Sequence, residues 1–336
     1  MPTFCRHNRL VQNCPICSKE QDVEMRPVVS PGGQTVRPPR PVGSSGPAMS
    51  SRSAGTSRSG SARRGSGLTV RRLSRSAEDG FRSGLVPGLR SGADAQRLAE
   101  ELAFAATRLQ RLQDDPPGLY AEVADASRAT EERTWLAFLI AYLAPLDGDD
   151  PFAGVAQART TWASGEPPHL DEVATGPRTA HEPDRGQRTI DAYRAWAQRA
   201  GSQEAAFTGD GAWTPERRFG RAFERLALPG LHRGARCDLL VTLGRLQVYE
   251  LSAGALGLGG NDPVTLAAKR VLGIGDTLLL ERRAAELAEA CGLPLESLDL
   301  GLFNWERGSR AGMGMEADAE PDPALLDTAQ AALGLI

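Results

Sequence analysis

Lysine is almost missing from this chain. Lys19 and Lys269 are the only two in 336 residues, so nearly all of its 39 basic side chains are arginine. Aromatics are also scarce, at 5 % of residues. No run of 18 apolar residues occurs, which excludes an apolar membrane-spanning helix. The opening MPTFCRHNRL has no apolar signal core, so secretion is not expected and a cytoplasmic, nucleoid-associated location is. Alternation of apolar and polar residues, the mark of a half-buried strand, is nearly absent, with LQVYELSA (246–253) the one ambiguous stretch.

What replaces these features is strongly segregated. Residues 26–93 are built from Arg, Ser, Gly and Pro, with Phe81 the single aromatic. Twelve arginines against Glu78 and Asp79 give this segment a net charge of +10, leaving −13 for the rest of a chain whose total is only −3. Too little apolar surface is present to offset chain entropy, so a disordered linker is expected over 26–93. Two roles fit it: a tether that neutralises nucleic-acid phosphates, or a plain solubilising spacer.

From Asp94 the pattern becomes helical and stays so to the C-terminus, which predicts an all-α domain over 94–336. DAQRLAEELAFAATRLQRLQ (94–113) carries apolar residues at helical spacing and stops at Pro116-Pro117. ERTWLAFLIAYLAPL (132–146) is long and apolar enough for a buried helix, and 163–188 reads as a long loop. Helices are predicted over 188–201, closed by Gly201, and over 214–227, opened by Thr214 with Pro215 behind it. A last helix falls near 323–334.

Three of the five cysteines lie in the first 17 residues. Cys5-x-His7 and Cys14-x2-Cys17 supply four ligands of the kind that closes a tetrahedral zinc site, and four protein ligands leave no open position for catalysis. A structural zinc knuckle over 1–25 is therefore expected, docking a protein partner or nucleic acid. Cys237 and Cys291, alone in helical patterns, read as inert core residues.

The stretch 226–305 holds the most informative motif. Leu228-Pro229-Gly230-Leu231 ends one helix and opens the next with a tight glycine turn, and such a hairpin offers backbone N–H groups at a helix N-terminus to a DNA phosphate. A Gly-rich loop follows, then Asp262-Pro263-Val264-Thr265 and a helix bearing Lys269 and Arg270. With WLAFLIAYLAPLDGDDPF (135–152) before it and LDLGLFNW behind, this segment resembles the helix–hairpin–helix DNA glycosylase superfamily over about 135–308. It is most similar to the divergent branch of alpha-glutamyl/putrescinyl thymine pyrophosphorylases, clade 3. The resemblance implies a helix–hairpin–helix bundle that extrudes a modified pyrimidine from DNA. In that branch the expected chemistry is displacement of diphosphate from pyrophosphorylated 5-hydroxymethyluracil by an amine. Arg233 and Gly234 stand where bifunctional glycosylases carry their lysine nucleophile, and the aspartate precedes the Pro-Val pair rather than following it.

Asp262, Lys269 and Asp238 are thus the candidate catalytic residues. Asp262 would stabilise a cation or take a proton from an amine, and Lys269 would hold a diphosphate or strand phosphate. Gly230, His232, Arg233, Arg236 and Arg270 are the candidate DNA contacts, and Trp135, Asp147 and Trp305 the candidate walls of a base pocket. Bland roles stand beside these: an N-cap for Asp262, core packing for both tryptophans, an ion pair for Asp238 and Asp147. A catalytically inactive DNA-binding or scaffolding module is the rival reading of the whole chain, and a protein–protein adaptor is a third.

Overall fold

The computed structural model describes residues 76–336, and within them the chain forms twelve helices and no strand. They are α1 (Gly92–Asp114), α2 (Leu119–Ala124), α3 (Thr130–Leu143), α4 (Ala153–Ala158), α5 (Gly186–Ala200) and α6 (Gln203–Thr208). Then come α7 (Pro215–Arg225), α8 (Arg233–Arg245), α9 (Pro263–Leu272), α10 (Thr277–Ala290), α11 (Ser297–Arg307) and α12 (Pro323–Leu333). The all-α expectation holds. The Cys/His cluster and residues 26–75 lie outside the described residues.

Helix starts follow local chemistry. Thr214, Asp262, Asp276 and Asp322 each accept a hydrogen bond from a first-turn N–H, and proline follows three of the four. Helix α3 stops at Leu143, short of the apolar run, because Ala144 turns to φ 57° and Pro145 follows. LQVYELSA is neither helix nor strand. Gln247 adopts φ 54°, and the N–H groups of Val248 and Tyr249 fold back onto Leu243 O, so the segment closes α8 instead of joining a ladder.

Two apolar cores result. One is built from the middle of the chain, with Phe138 and Tyr142 of α3, Tyr193 of α5, Phe207 of α6 and Leu240 and Leu243 of α8. The other takes both ends: Leu98 and Leu102 of α1, Val271 of α9, Leu280 of α10, and Leu302 and Trp305 of α11. Helix α1, about 35 Å long, is the spine, since its Leu109 and Leu112 reach the first core.

The linker ends earlier than composition suggests. Val86 and Leu89 are buried in the second core with Phe81 and Leu85 against it, and Gly88 N–H bonds to Val271 O at 3.0 Å. A Cβ on Gly88 would fall 1.8 Å from the Arg270 carbonyl oxygen, so only glycine allows this approach. The expectation of disorder to residue 93 is corrected for 76–93: four apolar side chains on non-helical backbone suffice to dock it.

Candidate functional site

The hairpin joins α7 to α8 through Leu226–His232. Gly230 has φ +79° and faces α5 so closely that a Cβ would lie 2.0 Å from Thr189 Oγ1. Pro229 is exposed at the tip. His232 caps α8: its Nδ1 accepts from Ala235 N–H at 3.2 Å, and its Nε2–H donates to Thr179 O at 2.9 Å. Both ring nitrogens are thereby committed to holding the hairpin against the 163–185 loop.

Arg233, the first residue of α8, points inward. It is 6 % exposed, and its guanidinium sits between two carboxylates, with Nη1 2.5 Å from Asp299 Oδ2 and Nε 2.9 Å from Asp262 Oδ1. Asp299 also accepts from Arg178 Nη2 at 2.6 Å, and Arg178 grips Asp238 with Nε at 2.8 Å and Nη2 at 2.9 Å. The result is one continuous chain, Asp238–Arg178–Asp299–Arg233–Asp262, with three carboxylates against two guanidiniums. The Arg178 guanidinium also lies 4.7 Å from the Phe303 ring centroid. A cavity of about 300 Å³ borders its Asp238 end, beside Cys237 and Ser297.

Burial alone would raise the Asp299 carboxyl, but Arg233 and Arg178 outweigh it and hold it below the ordinary value. Burial likewise opposes ionisation of Asp262; Arg233 and the Thr265 hydrogen bonds overcome it. Asp262 is the N-cap of α9, with Oδ2 accepting from Thr265 Oγ1 at 2.6 Å and Oδ1 from Thr265 N at 3.2 Å. Its side chain is still 22 % exposed, the most open member of the chain of charges. An ionised, doubly held carboxylate at this position suits stabilising a nearby cation better than taking up a proton.

The remaining expected residues are distributed differently. Lys269 Nζ donates to Gly260 O at 3.3 Å, which ties it to the Gly-rich turn preceding Asp262. The Glu281 carboxylate fixes that same loop by accepting from Leu256 N–H and Leu258 N–H. Arg270 turns away to pair with Glu306. Arg236 lies 4.4 Å over the Phe223 ring with Nη1 on Phe223 O. Trp135 belongs to the first core, its Nε1–H on Thr160 O, and Trp305 to the second, its Nε1–H on Asp94 O. Asp147 pairs with Arg307 at 3.2 Å. The two tryptophans therefore wall no common pocket, contrary to the base-pocket expectation, because each is drawn into a different core. Cys237 and Cys291 are buried thiols. No group of three or more His, Cys, Asp or Glu able to hold a metal occurs among the described residues.

Arg178 and Asp299 escaped sequence reasoning. Arg178 lies in a polar loop where nothing marks it as buried. Asp299 did leave a signal: in LESLDLGLF it is a lone carboxylate within an apolar helical run, and such a residue needs a buried partner. Comparison with family models, curated proteins and solved structures found no match for this chain.

Proposed function

We propose that this chain is a DNA-binding enzyme of base modification that acts on an extruded, modified pyrimidine, in the manner of the pyrophosphorylase and glycosylase families it resembles. The supporting observation is the 2.9 Å pair between Arg233 and Asp262. One side chain couples the helix that opens at the hairpin to the carboxylate that opens the next candidate helix. Buried ion networks cost desolvation and are seldom the most stable way to fill a core, so a five-membered one beside a possible phosphate cradle favours a functional role.

In this reading the hairpin tip engages a strand phosphate, and ionised Asp262 stabilises positive charge on the reacting sugar or amine. Lys269 meets the leaving diphosphate. The C–O bond to diphosphate breaks as the amine nitrogen forms the C–N bond and releases its proton. The Cys5, His7, Cys14 and Cys17 knuckle would hold a structural zinc and recruit a partner, and no membrane is involved. The body's −13 charge opposes indiscriminate coating of DNA, because uncompensated carboxylates repel phosphates. A second reading, an inactive DNA-binding or scaffolding module, is favoured by one observation: both Asp262 oxygens already have partners.

Nucleoside mass spectrometry after incubating the full chain with DNA containing pyrophosphorylated 5-hydroxymethyluracil and an amine distinguishes these readings. A heavier nucleoside with diphosphate release supports the transferase, and a free base with an abasic site supports a glycosylase. Unchanged DNA that is nonetheless bound supports the module.

A further inference from the structure

A second concavity, of about 590 Å³, opens where the docked segment 76–91, the start of α1 and the ends of α9 and α11 meet. Trp305, Arg97 and Arg270 line it. Asp262 caps the opposite end of α9 from Arg270, about 12 Å away along that helix, so this is a separate place from the site above.

Two polar atoms in its wall stand without partners among the described residues: Ser91 Oγ and Arg97 Nε. Ser91 is 2 % exposed and occupies the N-cap of α1, yet its hydroxyl makes no capping bond. An unpaired buried hydroxyl is costly, and a serine at an N-cap ordinarily spends its oxygen on the first-turn N–H groups. Arg97 donates Nη2 to Trp305 O at 3.1 Å and lies 5.5 Å from that ring centroid, which orients the guanidinium. An arginine Nε can only donate, so the missing partner must be an acceptor.

The carboxylates that border the cavity are partly accounted for. Glu306 is paired to Arg270, and Asp94 Oδ1 accepts from Ser76 Oγ at 3.1 Å; Glu78 is the third. Arg90 adds a further cation to the wall. The first turn of a 23-residue helix contributes its positive end.

We propose that this cavity binds a phosphate-type oxyanion, with Ser91 and Arg97 as its direct donors and the α1 N-terminus behind them. The proposal is independent of the chemistry assigned to Asp262.

Isothermal titration of the full chain with inorganic phosphate, AMP and a short DNA duplex, at fixed ionic strength set by chloride, tests it. Saturable phosphate or AMP binding is expected, weakened at least about tenfold by Arg97→Met and by Ser91→Ala, since each deletes a donor to a charged acceptor. Circular dichroism confirms that each variant keeps its helices, and Ser91→Ala removes only one atom that the fold leaves unpaired. If the duplex displaces AMP, the ligand is a strand phosphate; if it does not, the ligand is a free phosphate compound. Absence of saturable binding, or parent affinity in either variant, overturns the proposal.

Discussion

Asp299 carries more of this structure than any residue that sequence reasoning selected. It alone touches both buried guanidiniums, so Asp299→Asn leaves Arg178 and Arg233 sharing too little negative charge inside the protein. Breaking a buried ion pair by removing one partner costs about 3–5 kcal/mol, and urea unfolding of Asp299→Asn should show a loss of that size. The pH dependence follows from the same contacts. Asp299 and Asp262 both have folded-state values below the ordinary 3.8, so between the folded and unfolded values the unfolded chain binds more protons. Their contribution is complete above about pH 4 and is lost as pH falls through the folded values. Acid titration followed by circular dichroism should show a shallower acid loss in Asp299→Asn than in the parent. Asp262 and Arg233 were legible because motif residues flanked them. Arg178 was not, since its burial comes from the Gly176–Ala180 backbone bonding to the end of α3, a contact between distant segments.

Among elements, those with punctuation were readable and those held by packing alone were not. Thr214-Pro215, Asp262-Pro263 and a helix near 323 are visible in the chain as written, and the structure opens helices at each. The 246–253 stretch misleads because a closing turn on α8 uses the same β-branched and aromatic residues as a strand. The 76–93 segment hides its role because Arg, Ser and Gly dominate it, while its docking rests on Phe81, Leu85, Val86 and Leu89. Leu89→Ala should cost about 2–5 kcal/mol, as for other buried leucines, when measured by chemical denaturation. An effect under 0.5 kcal/mol would mean that this segment does not pack on α9.

At the scale of the whole molecule, charge separation and the coupling of hairpin to carboxylate define what the protein can do. All of the linker's net +10 lies in residues 26–75, where ten arginines face no acid. Deleting 26–75 should therefore leave helix content unchanged while DNA affinity falls and its dependence on salt flattens, as read by fluorescence anisotropy across a salt series. Equal affinity and slope would make the segment a spacer. Elemental analysis of the full chain should find one zinc per molecule, lost in Cys14→Ser without melting the helical body. A metal-free preparation would contradict the knuckle. The most direct test of the account is Asp262→Asn, assayed for product formation and DNA affinity in one preparation. Asparagine caps a helix as well as aspartate does, so the fold is retained and only the charge is removed. The account predicts product formation at least about 10²-fold slower with DNA affinity unchanged. A variant as active as the parent on the same modified DNA would contradict it, and would leave Asp262 as nothing more than the cap of α9.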